Sequence, residues 1–126
     1  MSKKIISTAN APAAIGTYSQ AAQVGNTIWV SGQIALDPKT KELVGGGIEA
    51  EAHQVVKNVK AIVTAAGAGL DDVVKATVFL TDLNNFALVN KIMAEYFREP
   101  YPARAALGIS ALPRGAQIEV ECIVAL

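Results

Sequence analysis

The stretch Ala103-Arg104-Ala105-Ala106-Leu107-Gly108-Ile109 carries the first chemical signal. Read as an extended strand, it places Arg104, Ala106 and Gly108 on one face and Ala103, Ala105, Leu107 and Ile109 on the other. An arginine thus stands beside a gap of small residues. Its planar fork matches a carboxylate with two parallel hydrogen bonds, and the short neighbours leave room for a small ligand. A salt bridge between subunits fits the same residues. Further on, Ile118, Val120, Cys122 and Val124 alternate with Glu119, Glu121, Ile123 and Ala125, so two carboxylates share the face opposite an apolar row. One or both are candidate partners for Arg104. A partly buried carboxylate there can activate or protonate a bound water, with burial tuning its pKa. A solvated glutamate at a strand edge is the alternative, and the one expected for Glu121.

Three further positions break the pattern around them. On a helical wheel Phe86, Met93 and Phe97 form one stripe, with Asn90 in its middle. An amide there needs partners: neighbouring backbone if its role is structural, a loop or ligand if it lines a cleft. Tyr18 lies in Gly16-Thr17-Tyr18-Ser19-Gln20, where Gly16 frees the backbone. Its phenol either closes over a pocket or packs with no ligand. Gly32, inside the strand-like run Ser31-Gly32-Gln33, implies a bulge or the close approach of another group.

Other chemistries are excluded by what the chain lacks. With one histidine, His53, and one cysteine, Cys122, neither a His/Cys metal site within one subunit nor a Ser-His-Asp triad is expected. His53 falls off the apolar stripe of its helix and is expected in solvent, whereas Cys122 belongs to the apolar row and is expected to be an inert core thiol. Gly45-Gly46-Gly47 lacks the Gly-Lys-Ser/Thr ending of a phosphate loop, and no dinucleotide fingerprint is present. Eleven basic and eleven acidic residues give a formal net charge of zero. That balance argues against a protein held mainly on phosphate backbones, and Lys3 with Lys4 does not make a nucleic-acid arm. A lone cysteine forms no internal disulfide, the start MSKKIISTAN has no apolar core of secretory length, and no apolar run approaches the roughly 18 residues that span a bilayer. A soluble cytoplasmic protein is the resulting expectation.

The elements that must position these residues follow from periodicity. At 126 residues, 52% of them hydrophobic and 17% charged, the chain is expected to form one packed domain over residues 1–126. Residues 21–36 read as a hairpin about Gly25-Asn26, followed by a turn at Asp37-Pro38-Lys39-Thr40. From Ile48 to Ala66 the apolar positions recur at helical spacing, with Glu49 and Glu51 near the positive end and Gly67 as a stop. Val73 to Leu80 fits a strand; Thr81 or Asp82 caps a second helix reaching about Phe97, which Pro100 and Pro102 end. Two last strands, Ala103–Ile109 and Ala116–Ala125, flank the turn Leu112-Pro113-Arg114-Gly115. The order β-β-α-β-α-β-β gives an α+β sheet with both helices on one face, since such crossovers are right-handed. The other face, carrying Trp29 and Phe79, then lacks a cover and is expected to be buried by self-association as a closed symmetric oligomer.

Taken in order, several segments resemble the YjgF/RidA family of reactive-intermediate imine deaminases along essentially the whole chain. They are residues 10–21 (NAPAAIGTYSQA), Val30-Ser31-Gly32-Gln33-Ile34, Val74 to Leu80, Phe86-Ala87-Leu88-Val89-Asn90, Tyr101-Pro102-Ala103-Arg104-Ala105-Ala106, Ala111-Leu112-Pro113 and Ile118-Glu119-Val120-Glu121. The resemblance implies a chorismate-mutase-like α+β fold, a homotrimer with a small-molecule site in each intersubunit cleft, and no cofactor or metal. It implies hydrolysis of enamines and imines such as 2-aminoacrylate to 2-keto acids and ammonia. By the same resemblance Arg104 takes the substrate carboxylate, Tyr18 is the aromatic site residue, Asn90 the helix amide and Glu119 the acid, while Ser31 and Gly32 line the cleft. The family commonly has Pro where Thr17 stands and, in many deaminases, Cys where Ala106 stands. The first change removes a φ restraint from the Tyr18 loop. The second alters pocket shape, hence substrate preference more than chemistry. Two rival functions remain at this stage: an endoribonuclease or translation inhibitor, and a non-catalytic sensor of 2-keto acids or other small carboxylates.

Overall fold

The periodicity that begins at Ile48 becomes helix α1, Gly47–Ala65, in the computed structural model, which describes residues 2–126. Its buried stripe runs through Ala52, Val55, Val56, Val59, Ile62 and Val63. The stop is a turn in which the Ala66 N–H donates to Ile62 and Val63 carbonyls and Gly67 takes φ 84°, a left-handed value that suits glycine. Two polar residues are buried on the same helix, and both are satisfied. The Glu51 carboxylate accepts from the Gln117 backbone and side-chain N–H groups, each at 2.9 Å. Asn58 donates to the Ile34 and Leu36 carbonyls at 3.2 and 2.9 Å. These bonds tie α1 to the segments on either side of the sheet's centre.

The strands are β1 (Lys4–Ile6), β2 (Ala21–Val24), β3 (Thr27–Gln33), β4 (Val73–Leu80), β5 (Ala103–Gly108) and β6 (Ile118–Ala125). They form one mixed sheet in the order β1-β2-β3-β6-β4-β5, with β4 and β5 parallel and every other pair antiparallel. Both helices pack on one face, as expected of this α+β arrangement. There Ile28, Val30, Val78, Leu80, Ile118, Val120 and Val124 meet the α1 stripe and Val89 and Ile92 of the second helix. Fully burying one such side chain contributes about 1.5–3 kcal/mol. Apolar at every second position, β6 therefore takes the middle of the sheet.

Four expectations change. The edge strand β1 was not expected; it is three residues long and only Ile6 is buried, too short for alternation to register. The first hairpin ends at Gln33 rather than Leu36, because β3 and β6 slip by one residue between Val30 and Gln33, a bulge at Ser31-Gly32. Helix α2 covers Phe86–Met93 instead of reaching Phe97. After Met93 the backbone tightens, with Glu95 N–H donating to Ile92 and Tyr96 N–H to Met93, and this turns Phe97 into the core. Ahead of α2, Asp82 caps a single short turn by accepting from Asn84 N–H at 2.9 Å. Finally, His53 is half-buried rather than solvated: Nδ1 lies 2.6 Å from the Tyr96 hydroxyl, and the rings meet edge-on with centroids 5.7 Å apart. A wheel drawn on one helix cannot show that the turn after α2 reaches across to it.

The face away from the helices is open. Ile5, Trp29 and Leu107 stay 48%, 47% and 46% exposed on or beside it, the uncovered apolar surface expected above. No helix among the described residues is long and apolar enough to cross a membrane.

Candidate functional site

Strand register decides which face each candidate occupies. In the parallel pair, Ala76, Val78 and Leu80 stand beside Arg104, Ala106 and Gly108. The three β4 residues are fully buried under the helices. Arg104 therefore projects toward α2, at the exposed margin of the sheet. Its Nη1 donates to Asn90 Oδ1 at 2.6 Å, and its guanidinium lies over the Phe86 ring, 5.0 Å from the centroid. Phe86 and Asn90 are four apart on α2, so one helical turn supplies both an aromatic platform and a charge-assisted bond. Asn90 thus serves neither backbone nor loop but the arginine. Among the described residues Nη1 makes the one side-chain hydrogen bond of this guanidinium, and Arg104 also lines a hollow of about 340 Å³ with Asn90, Met93, Phe97, Tyr101 and Pro102.

The space expected beside Arg104 on its own strand is taken. A Cβ on Gly108 would come within 2.9 Å of Leu83 Cγ and Cδ1, so Leu83 occupies that gap. Ala106 is partly buried, packs against the core and does not line the hollow. Room for a ligand lies instead along α2.

Glu119 and Glu121 project to the opposite face, paired across β4 with Phe79 and Thr77. Within one chain neither carboxylate meets Arg104. Alternation gives the two faces of each strand but not how the faces of β5 and β6 relate, since β4 lies between them. Glu119 folds back over the bulge in β3. A Cβ on Gly32 would run into its Oε1 and Cδ, so the glycine is needed for this close approach and not for an unusual φ. Burial, reinforced by the charge of Glu121, pushes the Glu119 carboxyl above the ordinary value of 4.5. Glu121 is exposed, but on the central strand rather than an edge.

Tyr18 reaches the same face from the loop before β2. It is 52% exposed, and its hydroxyl oxygen accepts from Ile15 N–H at 3.3 Å. Ser31 fastens that loop to the bulge: Oγ donates to the Ser19 carbonyl at 2.5 Å and the backbone N–H to the Gln20 carbonyl at 2.9 Å. Tyr18, Ser31, Gly32, Glu119 and Glu121 share a hollow of about 610 Å³. Arg114 joins its lining, with φ 62° and Nη2 donating to the Lys41 carbonyl at 3.1 Å. Sequence reasoning missed this arginine, treating it only as part of a turn; the one signal was a cation in a Pro-Arg-Gly corner. Phe86 was seen as a stripe residue and not as the guanidinium's platform. Cys122 is inert as expected, its thiol pushed up to about 12 by burial.

Comparison with known proteins adds a second line of observation. A family model described as endoribonuclease L-PSP matches residues 8–126. The chain is similar to the 2-iminobutanoate/2-iminopropanoate deaminase of Mus musculus, 53% identical over 121 residues, 96% of this chain and 90% of that one. The Homo sapiens protein of the same name is 50% identical, over 96% and 88%. RidA from an Antarctic Psychrobacter has a TM-score of 0.94 at 52% identity, over 98% of this chain and 99% of that chain. Escherichia coli TdcF, solved with bound serine, gives 0.92 at 40% identity over 98% of each chain.

Proposed function

The chain belongs to the endoribonuclease L-PSP family, the YjgF/RidA family, and from that premise we propose that it hydrolyses reactive enamines and imines such as 2-aminoacrylate to 2-keto acids and ammonia. The observation that carries this reading is the pair of hollows: an arginine fork steadied by Asn90 over Phe86 opens on one, and a half-buried carboxylate of raised proton affinity opens on the other. Relatives about half identical in sequence bear the corresponding deaminase name.

In this proposal the chain works as one unit over residues 1–126 in the cytoplasm, needs no metal or cofactor, and assembles as a homotrimer. The α2 margin of one copy sits against the open sheet face of the next. That docking covers Trp29 and brings Arg104 of one copy to Glu119 and Tyr18 of another. Arg104 holds the substrate carboxylate bidentately, which aims the C=N carbon at a water beside Glu119. Glu119 accepts a proton as the water oxygen bonds to the carbon of the protonated imine and the C=N π pair moves onto the nitrogen. It returns that proton to the carbinolamine nitrogen and then takes the proton of the new hydroxyl as C=O forms and the C–N bond breaks, so that ammonia leaves a 2-keto acid behind. Such proton transfer is typically worth about 10²–10⁴-fold. Tyr18 closes the cleft, Ser31 and Gly32 line it, and Ala106 shapes it from behind Arg104.

The test is keto-acid release from imines generated in situ by a serine/threonine dehydratase or an amino-acid oxidase. Acceleration by the protein and its loss in Arg104→Ala is the expected result; equal activity in the variant would sink the assignment. The description of the family model favours a second reading, RNA cleavage. The zero net charge weighs against it. RNA cleavage that survives purification and disappears with Glu119→Gln would reverse that preference. Binding of 2-keto acids with no turnover, unaltered by Glu119→Gln, would point to a sensor.

A further inference from the structure

We propose that Gln20 is a positioning residue for this reaction: its buried amide closes the neck of the loop 8–20 and sets where Tyr18 stands over Glu119. The inference rests on the imine-deaminase reading and deepens it.

Gln20 is 3% exposed, immediately before β2. Its Oε1 accepts from Thr8 N–H at 2.7 Å. Its Nε2 faces three carbonyls, those of Thr8 at 3.0 Å, Pro12 at 2.8 Å and Ala11 at 3.3 Å. An amide has two N–H groups, so one of them is shared and none is left for a ligand. Residues 8–20 contain no strand or helix. Their backbone groups need partners from elsewhere, and one side chain supplies them at three positions.

The same residue is fixed from the other side. Its backbone carbonyl accepts from Ser31 N–H, next to the bulge over which Glu119 folds. Gln20 therefore joins the two ends of the loop to each other and to the strand that seats the carboxylate. Between those ends the arc is tied, among the described residues, only at Ser19, whose carbonyl accepts from Ser31 Oγ, and by the bond from Ile15 N–H to the Tyr18 hydroxyl, with Gly16 at φ 117° and Thr17 in between. With its ends joined, the arc has few ways to carry the phenol. Pro12 and Ala13, at the gripped end, line the same hollow as Tyr18 and Glu119.

The experiment is a double-mutant cycle on the full-length assembled protein, using Gln20→Met and Tyr18→Ala with imine turnover as readout. Gln20→Met keeps the shape and removes the hydrogen bonds. Displacement of a group by about 1 Å costs up to 10²-fold, so kcat/KM should fall about tenfold to a hundredfold while secondary structure and assembly persist. In the Tyr18→Ala background the same change should cost less than about threefold, because its route is already gone. Losses that multiply would overturn the inference, as would full activity in either single variant. Should Gln20→Met fail to fold, Gln20→Asn replaces it in the cycle, a shorter amide that cannot reach Thr8 and Pro12 together. Misfolding of both would also overturn the inference, since the amide would then hold the whole chain rather than one loop. Absence of imine turnover in the parent protein is a separate result and removes the deaminase reading itself.

Discussion

The two hollows of this molecule are held by opposite means. On the helix side, Arg104 rests on one turn of α2, where Phe86 and Asn90 are set by helical spacing and backed by the core. On the open side, Glu119 and Tyr18 depend on irregular structure: a bulge, a glycine that yields its space, and a loop drawn in by side chains. The first hollow is an arrangement that regular structure can build. The second places a carboxylate at a cost in solvation, which irregular backbone tolerates because its polar groups are satisfied locally. In the proposed reaction recognition and proton transfer therefore fall on separate faces of one chain, and each can be perturbed alone.

The largest expected effect is from Arg104→Ala, which should lower kcat/KM by about 10³-fold or more through loss of a charged carboxylate contact, with the thermal midpoint little changed. Glu119→Gln should cost about 10²–10³-fold in kcat and should also stabilise the fold. The sign follows from linkage. A carboxyl whose pKa is raised on folding makes the native state less stable as pH climbs from the ordinary value of 4.5 toward the raised one. The variant lacks that penalty, so at neutral pH it should unfold at a higher temperature than the parent. The gap should close below pH 4.5. A variant less stable than the parent at pH 7 would show that Glu119 contributes to the fold.

Two glycines sharpen the contrast at smaller scale. In Gly32→Ala the new methyl displaces the Glu119 carboxylate; activity should drop about tenfold with stability nearly unchanged, since the backbone φ there is ordinary. In Gly108→Ala the methyl meets the half-exposed Leu83, which can swing away. A stability loss of about 1 kcal/mol or less and near-parental turnover are expected. Parallel assays with thermal unfolding decide both. The smallest effect is that of Glu121→Gln: removing the neighbouring charge should move the acidic limb of the kcat/KM profile to lower pH, with the plateau preserved.

Much of this was legible in the amino-acid sequence, unevenly and for physical reasons. Helix α1, strands β2, β4, β5 and β6, the bulge at Gly32 and the uncovered sheet face all follow from local periodicity and turn chemistry. The end of α2 did not, because Phe97 keeps the helical stripe while the backbone has already tightened. His53 and Tyr96 are 43 residues apart, and neither residue's own helix or turn announces the other. Gly108 looked like ligand space because composition cannot show that Leu83 fills it. Most consequential was the relation between Arg104 and Glu119. Each strand's alternation was right, yet their opposition depends on the register of β4 with both neighbours.

The position of β6 between β3 and β4 has a consequence for how the molecule comes into being. During synthesis the first five strands emerge before their central member, so β3 and β4 wait with open hydrogen-bonding edges. Such edges are where chains pair with the wrong neighbour. Joining distant segments also makes for slow folding, since loops must close before contacts repay them. Glu119 rides on that last strand. Glu119 and the strand that joins the two halves of the sheet are thus the same late addition to a nascent chain.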